Sequence, residues 1–222
     1  MKKGISASMM CADIMNLKSE LEILEQAKIE YLHIDIMDGE FVPNYSMGKD
    51  YISALRKNTK IPLDIHMMVN KPEVKLSYLD LQAGDAVSIH IESSVHIQRV
   101  LSDLKSKGIM TGVAYNPATG LETLKYVADV IDYVLIMTVN PGYAGQKLVP
   151  LCLDRIKEAR EIMDSLGKNQ VLIEVDGNVS FKNAKIMKEK GADIFVVGSS
   201  SIFDKSQNMT EAINKFRAIV NE

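Results

Sequence analysis

Eight times along its 222 residues, this chain runs through a short apolar stretch of β-type residues and then an amphipathic helical stretch. The candidate strands are 4–8, 31–37, 62–68, 85–91, 108–115, 131–137, 170–176 and 193–198. Helical patterns follow over 17–28, 51–58, 72–83, 95–107, 120–128, 149–167, 180–191 and 209–222. Several strands begin just after a residue that ends a helix, namely Pro62, Gly84, Gly108 and Gly191. The strands are apolar enough to be parallel and covered on both faces. Eight strand-then-helix units in this length predict an α/β chain folded as a (β/α)8 TIM barrel, one domain over 1–222. The rival is a doubly wound open sheet. That architecture announces itself with a glycine-rich fingerprint after the first strand, where this chain reads SMMCAD.

Charge and composition remove several classes of function. A net charge of −3, with lysines and acids mixed along the chain, leaves no footprint for nucleic acid or an anionic membrane surface. Nothing approaches a membrane span, and MKKGISASMM carries no long apolar leader. Cys11 and Cys152 form no disulfide framework and no CxxC, so a reduced, cytoplasmic protein is expected.

Polar residues at the strand ends carry the chemistry. In YLHIDIM, alternation puts His33, Asp35 and Met37 on one face and Ile34 and Ile36 on the other. An imidazole and a carboxylate facing a closed interior are costly unless something satisfies them, and a metal ion would do so. His66 ends the third strand, and Glu174 and Asp176 end the seventh. His33, Asp35, His66 and Asp176 form a donor set suited to Zn²⁺, Mn²⁺, Co²⁺ or Fe²⁺, with Mg²⁺ less matched to imidazole. A lone strand histidine is more often a hydrogen-bonded core residue; four donors at matching ends favour a site. His90 reads as packing behind such a site and His96 as helix surface. Met37, Met68 and Met137, among thirteen methionines, sit at strand ends, where they either plug the barrel or keep a ligand site dry.

Glycine loops follow the last strands: Gly142, Tyr143, Ala144 and Gly145 within NPGYAGQ, then Gly177 with Asn178, then Gly198, Ser199 and Ser200. Backbone N–H groups after strands seven and eight, with a short helix N-terminus, make the usual phosphate cradle of this fold. Neither a P-loop nor GxGxxG is present, so a nucleotide is not indicated. No strand contains lysine, which argues against a Schiff-base aldolase, and no nucleophile elbow appears. Metal donors, a phosphate anchor and two carboxylates from distant strands suggest proton transfer beside a carbonyl. Asp35 and Asp176 would exchange a proton on opposite faces of one carbon through an enediolate, which a cation would stabilise. Desolvation under the methionines would keep a metal-bound carboxylate basic.

HIDIMDGEFVPN, DIHMMV, MTVNPGYAGQ, EVDG and GSSSIF together resemble the ribulose-phosphate 3-epimerase family, in order and over nearly the whole chain. The resemblance implies a ribulose-phosphate-binding barrel that epimerises a ketose phosphate at C3 with one divalent metal. It matches His33, Asp35, His66 and Asp176 to the metal ligands, Asp35 and Asp176 to the acid–base pair, and Ser8 to a substrate contact. The loops at 142–145, 177 and 198–199 match phosphate contacts. A sugar-phosphate substrate and a homo-oligomer are further implications of the resemblance.

Three stretches depart from the pentulose-phosphate pattern. Asn178 stands where D-G-G is usual, GSSSIF is one residue longer than G-S-A-I-F, and SMMCAD replaces S-I-L-S-A-D. These resemble the D-allulose-6-phosphate 3-epimerase branch, so conversion of D-allulose 6-phosphate to D-fructose 6-phosphate is the leading expectation. The alternative is D-ribulose 5-phosphate to D-xylulose 5-phosphate. Related decarboxylase barrels carry D-x-K-x-x-D on the second strand, and this chain has Met37 in place of the lysine. A non-catalytic sugar-phosphate barrel is the remotest reading, because such a site should have lost a ligand or an aspartate.

Overall fold

A computed structural model describes residues 1–221. Eight parallel strands close into a barrel in chain order: β1 (Gly4–Ser8), β2 (Tyr31–Met37), β3 (Leu63–Met68), β4 (Ala86–His90), β5 (Met110–Tyr115), β6 (Tyr133–Met137), β7 (Leu172–Asp176) and β8 (Ile194–Val197). Each pairs with its sequence neighbour, and β1 closes on β8 with Gly4 opposite Ile194. The expected (β/α)8 TIM barrel is the fold. Around it lie α1 (Leu17–Gln26), α2 (Lys49–Asn58), α3 (Pro72–Lys75), α4 (Ile97–Ser106), α5 (Leu124–Val127), α6 (Cys152–Ser165), α7 (Phe181–Glu189) and α8 (Met209–Asn221).

Strand parity sorts the side chains into two environments. Ile34 and Ile36, with Ile65, Val87, Val134 and Val175, face the helices and form the main apolar core with Leu24, Leu55, Leu101 and Phe216. This layer removes a large apolar area from water, at about 25 cal/mol per Å². The barrel's inside is different. Where barrels of this fold are commonly filled by branched aliphatic side chains, this one buries Ser6, His33, Asp35, Asp64, His66, Ser88, His90 and Glu174. Tyr133 also lies inside, and a Cβ on Gly112 across the β5–β6 pair would overlap its ring. Glycine at 112 gives the phenol room to reach Asp64, with its hydroxyl 3.4 Å from Oδ1.

The N-terminal mouth is closed by acids placed just before strands. The Asp193 carboxylate accepts Ile173 N–H at 3.0 Å, Asp132 accepts Thr111 N–H at 2.9 Å, and Glu30 accepts Ile5 N–H at 3.0 Å. Each satisfies a backbone donor at the start of a neighbouring strand, where ladder bonds run out.

Two expected helices are much shorter than their patterns. Instead of a helix over 72–83, α3 makes one turn, a 3-10 turn follows at Leu76–Tyr78, and Leu79 is extended. Side chains elsewhere take over the backbone groups of this segment: Arg56 donates to the Asp80 carbonyl at 2.9 Å, and Asp85 accepts Gln82 N–H at 2.7 Å. Instead of 120–128, α5 spans Leu124–Val127. Tyr115 donates or accepts across to Thr123 at 2.9 Å, holding the entry residues as turns. Among the described residues, no helix is long and apolar enough to cross a membrane.

Candidate active site

The polar interior rises to a cleft at the C-terminal ends of the strands. Extended backbone alternates its side chains, so β2 sends His33, Asp35 and Met37 inward, β3 sends Asp64, His66 and Met68, and β7 sends Glu174 and Asp176. Closure of the barrel brings four of these donors together. His33 Nε2 lies 3.4 Å from Asp35 Oδ1 and 3.9 Å from Asp176 Oδ2. His66 Nδ1 lies 3.3 Å and 3.8 Å from the same two oxygens. One donor atom from each of the four residues falls within 4.8 Å of the others. His33 Nε2 is buried and has no hydrogen-bond partner among the described residues. An orphaned imidazole nitrogen facing two carboxylates fits a divalent cation.

The histidines form the floor, fully buried, whereas the Asp176 side chain is 19% exposed and meets the cleft. Burial disfavours the charge on Asp35, but His33 and His66 outweigh it and hold that carboxyl well below its usual range. Burial, and then the Asp35 charge against the relief from His33, pushes Asp176 up to about 6. Neighbouring carboxylates whose environments drive them apart suit acid and base roles.

A second tier below this floor was not singled out from the sequence beyond Glu174. Asp64 accepts from His33 Nδ1 at 2.7 Å and from Ser6 Oγ at 2.7 Å. It therefore fixes the His33 proton on Nδ1 and leaves Nε2 free. Glu174 is not at the cleft; it lies fully buried beside Asp64 and His33. Burial and the Asp64 charge push it well above the usual carboxyl range. The DIH pattern on β3 carried the signal for Asp64, since residues 64 and 66 must share a face.

The cleft lies open to solvent above this floor. Ser8, Met37, Met68 and Met137 line it, and Ser8 Oγ donates to Asp35 Oδ2 at 3.4 Å. Met37 and Met68 pack with Val42, while Met137 packs with Leu135 and Val139. All the loop residues expected at a ligand meet the same cleft: Gly142, Tyr143, Ala144, Gly145, Gly177, Asn178, Gly198, Ser199 and Ser200. Met10, Cys11, Val139 and Gln146 line it too and were missed, because nothing in their spacing separates them from ordinary loop residues. The short helix expected after β8 is a turn: Ser201 and Phe203 N–H groups both return to the Gly198 carbonyl, at 3.0 and 3.2 Å.

These loops hold one another. Asn44 Nδ2 donates to the Gly142 carbonyl at 2.8 Å, and the Tyr143 hydroxyl donates to the Pro43 carbonyl. Gly177 has φ +112°, and a Cβ there would overlap Val139, including its backbone nitrogen. Asp38, the acid that follows β2, accepts from Lys75 Nζ and from the N–H groups of Glu40, Phe41 and Asn70. Burial opposes its charge, but Lys75 and these amides hold the carboxyl down at about 2. Because the folded value is depressed, its stabilisation is complete above the ordinary value of 3.8 and is lost as pH falls through about 2. Asp38→Asn is expected to lower unfolding stability at pH 6, by a gap that narrows between pH 4 and pH 2. Urea titrations of both proteins across that range check it, and a gap constant with pH counts against the ion pair.

The model of the family described as "Ribulose-phosphate 3 epimerase family" matches residues 4–203. The chain belongs to the ribulose-phosphate 3-epimerase family. It is an isomerase, as expected. It is similar to the ribulose-phosphate 3-epimerase of Bacillus subtilis, 37% identical over 213 residues that cover 96% of this chain and 97% of that one. It is also similar to the chloroplastic ribulose-5-phosphate-3-epimerase of Arabidopsis thaliana, 38% identical over 216 residues, 96% of this chain and 76% of that one. Among solved structures, a 3-keto-L-gulonate-6-phosphate decarboxylase from Vibrio cholerae superposes with a TM-score of 0.70, covering 100% of this chain and 98% of that one at 12% identity, a likeness of fold alone.

The allulose expectation finds no support in these relatives, which carry ribulose-phosphate names. Asn178 has a local explanation instead. Its φ is +50°, in the left-handed region that glycine and asparagine both tolerate. Its amide donates to the Gln146 carbonyl at 2.7 Å, and its own Oδ1 accepts from Asn183 at 2.9 Å. The residue that replaces the usual second glycine thus answers a backbone requirement and ties two loops together.

Proposed function

We propose that this epimerase interconverts D-ribulose 5-phosphate and D-xylulose 5-phosphate by moving the C3 proton between Asp35 and Asp176. The observation that carries the reading is the convergence of these two carboxylates, from β2 and β7, over two buried histidines at the floor of one cleft. One carboxylate takes the proton from one face of C3, and the other returns a proton to the opposite face, which inverts the carbon. Asp35, beside Ser8, comes from β2 and Asp176 from β7, and both line the cleft. His33, Asp35, His66 and Asp176 would hold a divalent cation, whose charge, when bound, favours the oxyanion of the enediolate. The loops at 142–145, 177–178 and 198–200 hold the phosphate through backbone N–H groups and the hydroxyls of Ser199 and Ser200. Met37, Met68 and Met137 exclude water from the reacting carbon and strengthen electrostatics there.

Parallel assays on D-ribulose 5-phosphate and D-allulose 6-phosphate test the substrate. We expect kcat/KM to favour the pentulose by about tenfold or more, a difference near 1.4 kcal/mol. A preference for the hexulose would restore the allulose branch. Turnover of neither, with no deuterium entering at C3 from D2O, would reject epimerisation of these sugars.

A further inference from the structure

His66 reaches beyond the four-donor cluster on its other side. Its Nε2 lies 2.9 Å from His90 Nε2, and His90 Nδ1 lies 3.1 Å from Glu92 Oε2. Glu92 stands on the 3-10 turn Ile91–Ser93 after β4. Its other oxygen accepts the Asn116 N–H at 3.0 Å and the Thr119 hydroxyl, both in the loop after β5. The Phe41 ring packs against His90 with centroids 4.7 Å apart, which keeps the imidazole from turning away.

His66 Nδ1 also faces Asp35 Oδ1 at 3.3 Å. With a cation on that side and a neutral His66, donor and acceptor roles along this chain leave one arrangement. A carboxylate only accepts, so His90 carries its proton on Nδ1. His90 Nε2 is then a lone pair and must accept from His66, which places the His66 proton on Nε2. The His66 lone pair is left on Nδ1, the atom that faces Asp35 and Asp176. We propose that Glu92 and His90 are positioning residues that fix the His66 tautomer, presenting Nδ1 to the cation as Asp64 presents His33 Nε2. This rests on the metal reading of the four-donor cluster. Partners behind metal-bound histidines commonly set both tautomer and affinity.

Glu92→Gln discriminates, because it keeps shape and removes one acceptor. Its new NH2 group cannot face the Asn116 N–H, which only donates, so it must turn toward His90 Nδ1. That would move the His90 proton to Nε2 and the His66 proton to Nδ1, the wrong atom for binding. Proton–nitrogen correlation spectra of histidine-labelled, metal-free protein should show His66 protonated on Nε2 and His90 on Nδ1 in the wild type, with both reversed in Glu92→Gln. Direct titration with Zn²⁺ or Mn²⁺ should show binding weakened by about 10–100-fold in the variant. The thermal midpoint of the metal-free variant should stay near that of the wild type, which a merely structural role for Glu92 would not allow. Unchanged tautomers and unchanged affinity overturn the proposal. If Glu92→Gln does not fold, the wild-type spectrum decides: a His66 with no proton on Nε2 overturns it. A wild-type protein with the expected tautomers that binds no divalent cation instead rejects the metal reading itself, and the relay's purpose with it.

Discussion

Asp176→Asn is expected to lower turnover by about 10³–10⁴-fold and to stop deuterium incorporation at C3 from the epimer whose C3–H faces Asp176, while the barrel stays folded. General acid–base groups contribute effects of about that size. The amide has nearly the shape of the carboxyl but can neither take up nor give back a proton at the relevant atom. Stability should hold because the Asp176 side chain is partly open to the cleft and lies 3.9 and 3.8 Å from the buried His33 and His66, too far for a hydrogen bond to be lost. Replacing it also removes a negative charge from beside Asp35, a neighbour whose repulsion helps push Asp176 up. Proton NMR of substrate in D2O, with circular dichroism and a thermal melt as the folding controls, reads both halves of this prediction. Epimerisation at the wild-type rate in Asp176→Asn would reject the two-carboxylate mechanism outright.

Stripping metal with a chelator should bring epimerase activity to background, and adding back Zn²⁺, Mn²⁺, Co²⁺, Fe²⁺ or Mg²⁺ should restore it at one ion per chain. His33 Nε2 has no other partner among the described residues, and the two aspartates crowd their charge into a buried floor. A cation that binds only the folded state adds about 2.7 kcal/mol of stability at 100 times its dissociation constant. For a chain of this length, that corresponds to a rise in Tm of roughly 5–10 °C. Melting curves with and without each ion measure this without reference to activity. Full turnover by a protein containing far less than one ion per chain would remove the metal from the proposed function.

Much of this site was legible before any coordinate. Strand parity alone put His33 and Asp35 on one face, and all eight strands lie within a residue or two of their expected spans. The four residues of the candidate donor set could be picked out because each points inward from a strand, toward the face where a barrel gathers its chemistry. Helices in the third and fifth units were over-extended, since apolar spacing cannot show that Arg56 and Asp85 will claim the backbone between α3 and β4. That Asn178 also meets a backbone requirement could not be read, because a sequence does not display its φ of +50°.

By itself, then, the sequence determined the strand-and-helix alternation, which side chains turn inward, and which chemistry they carry, because these follow from local periodicity. Tertiary structure decided that Asp64 serves His33, that Glu174 lies buried below the cleft, and that Glu92 reaches His66 through His90. Those pairings join different strands and loops of one barrel wall and floor. Hydrogen-bonding roles are settled only when closure sets atoms within about 3 Å of one another, and no periodicity along a chain encodes that distance.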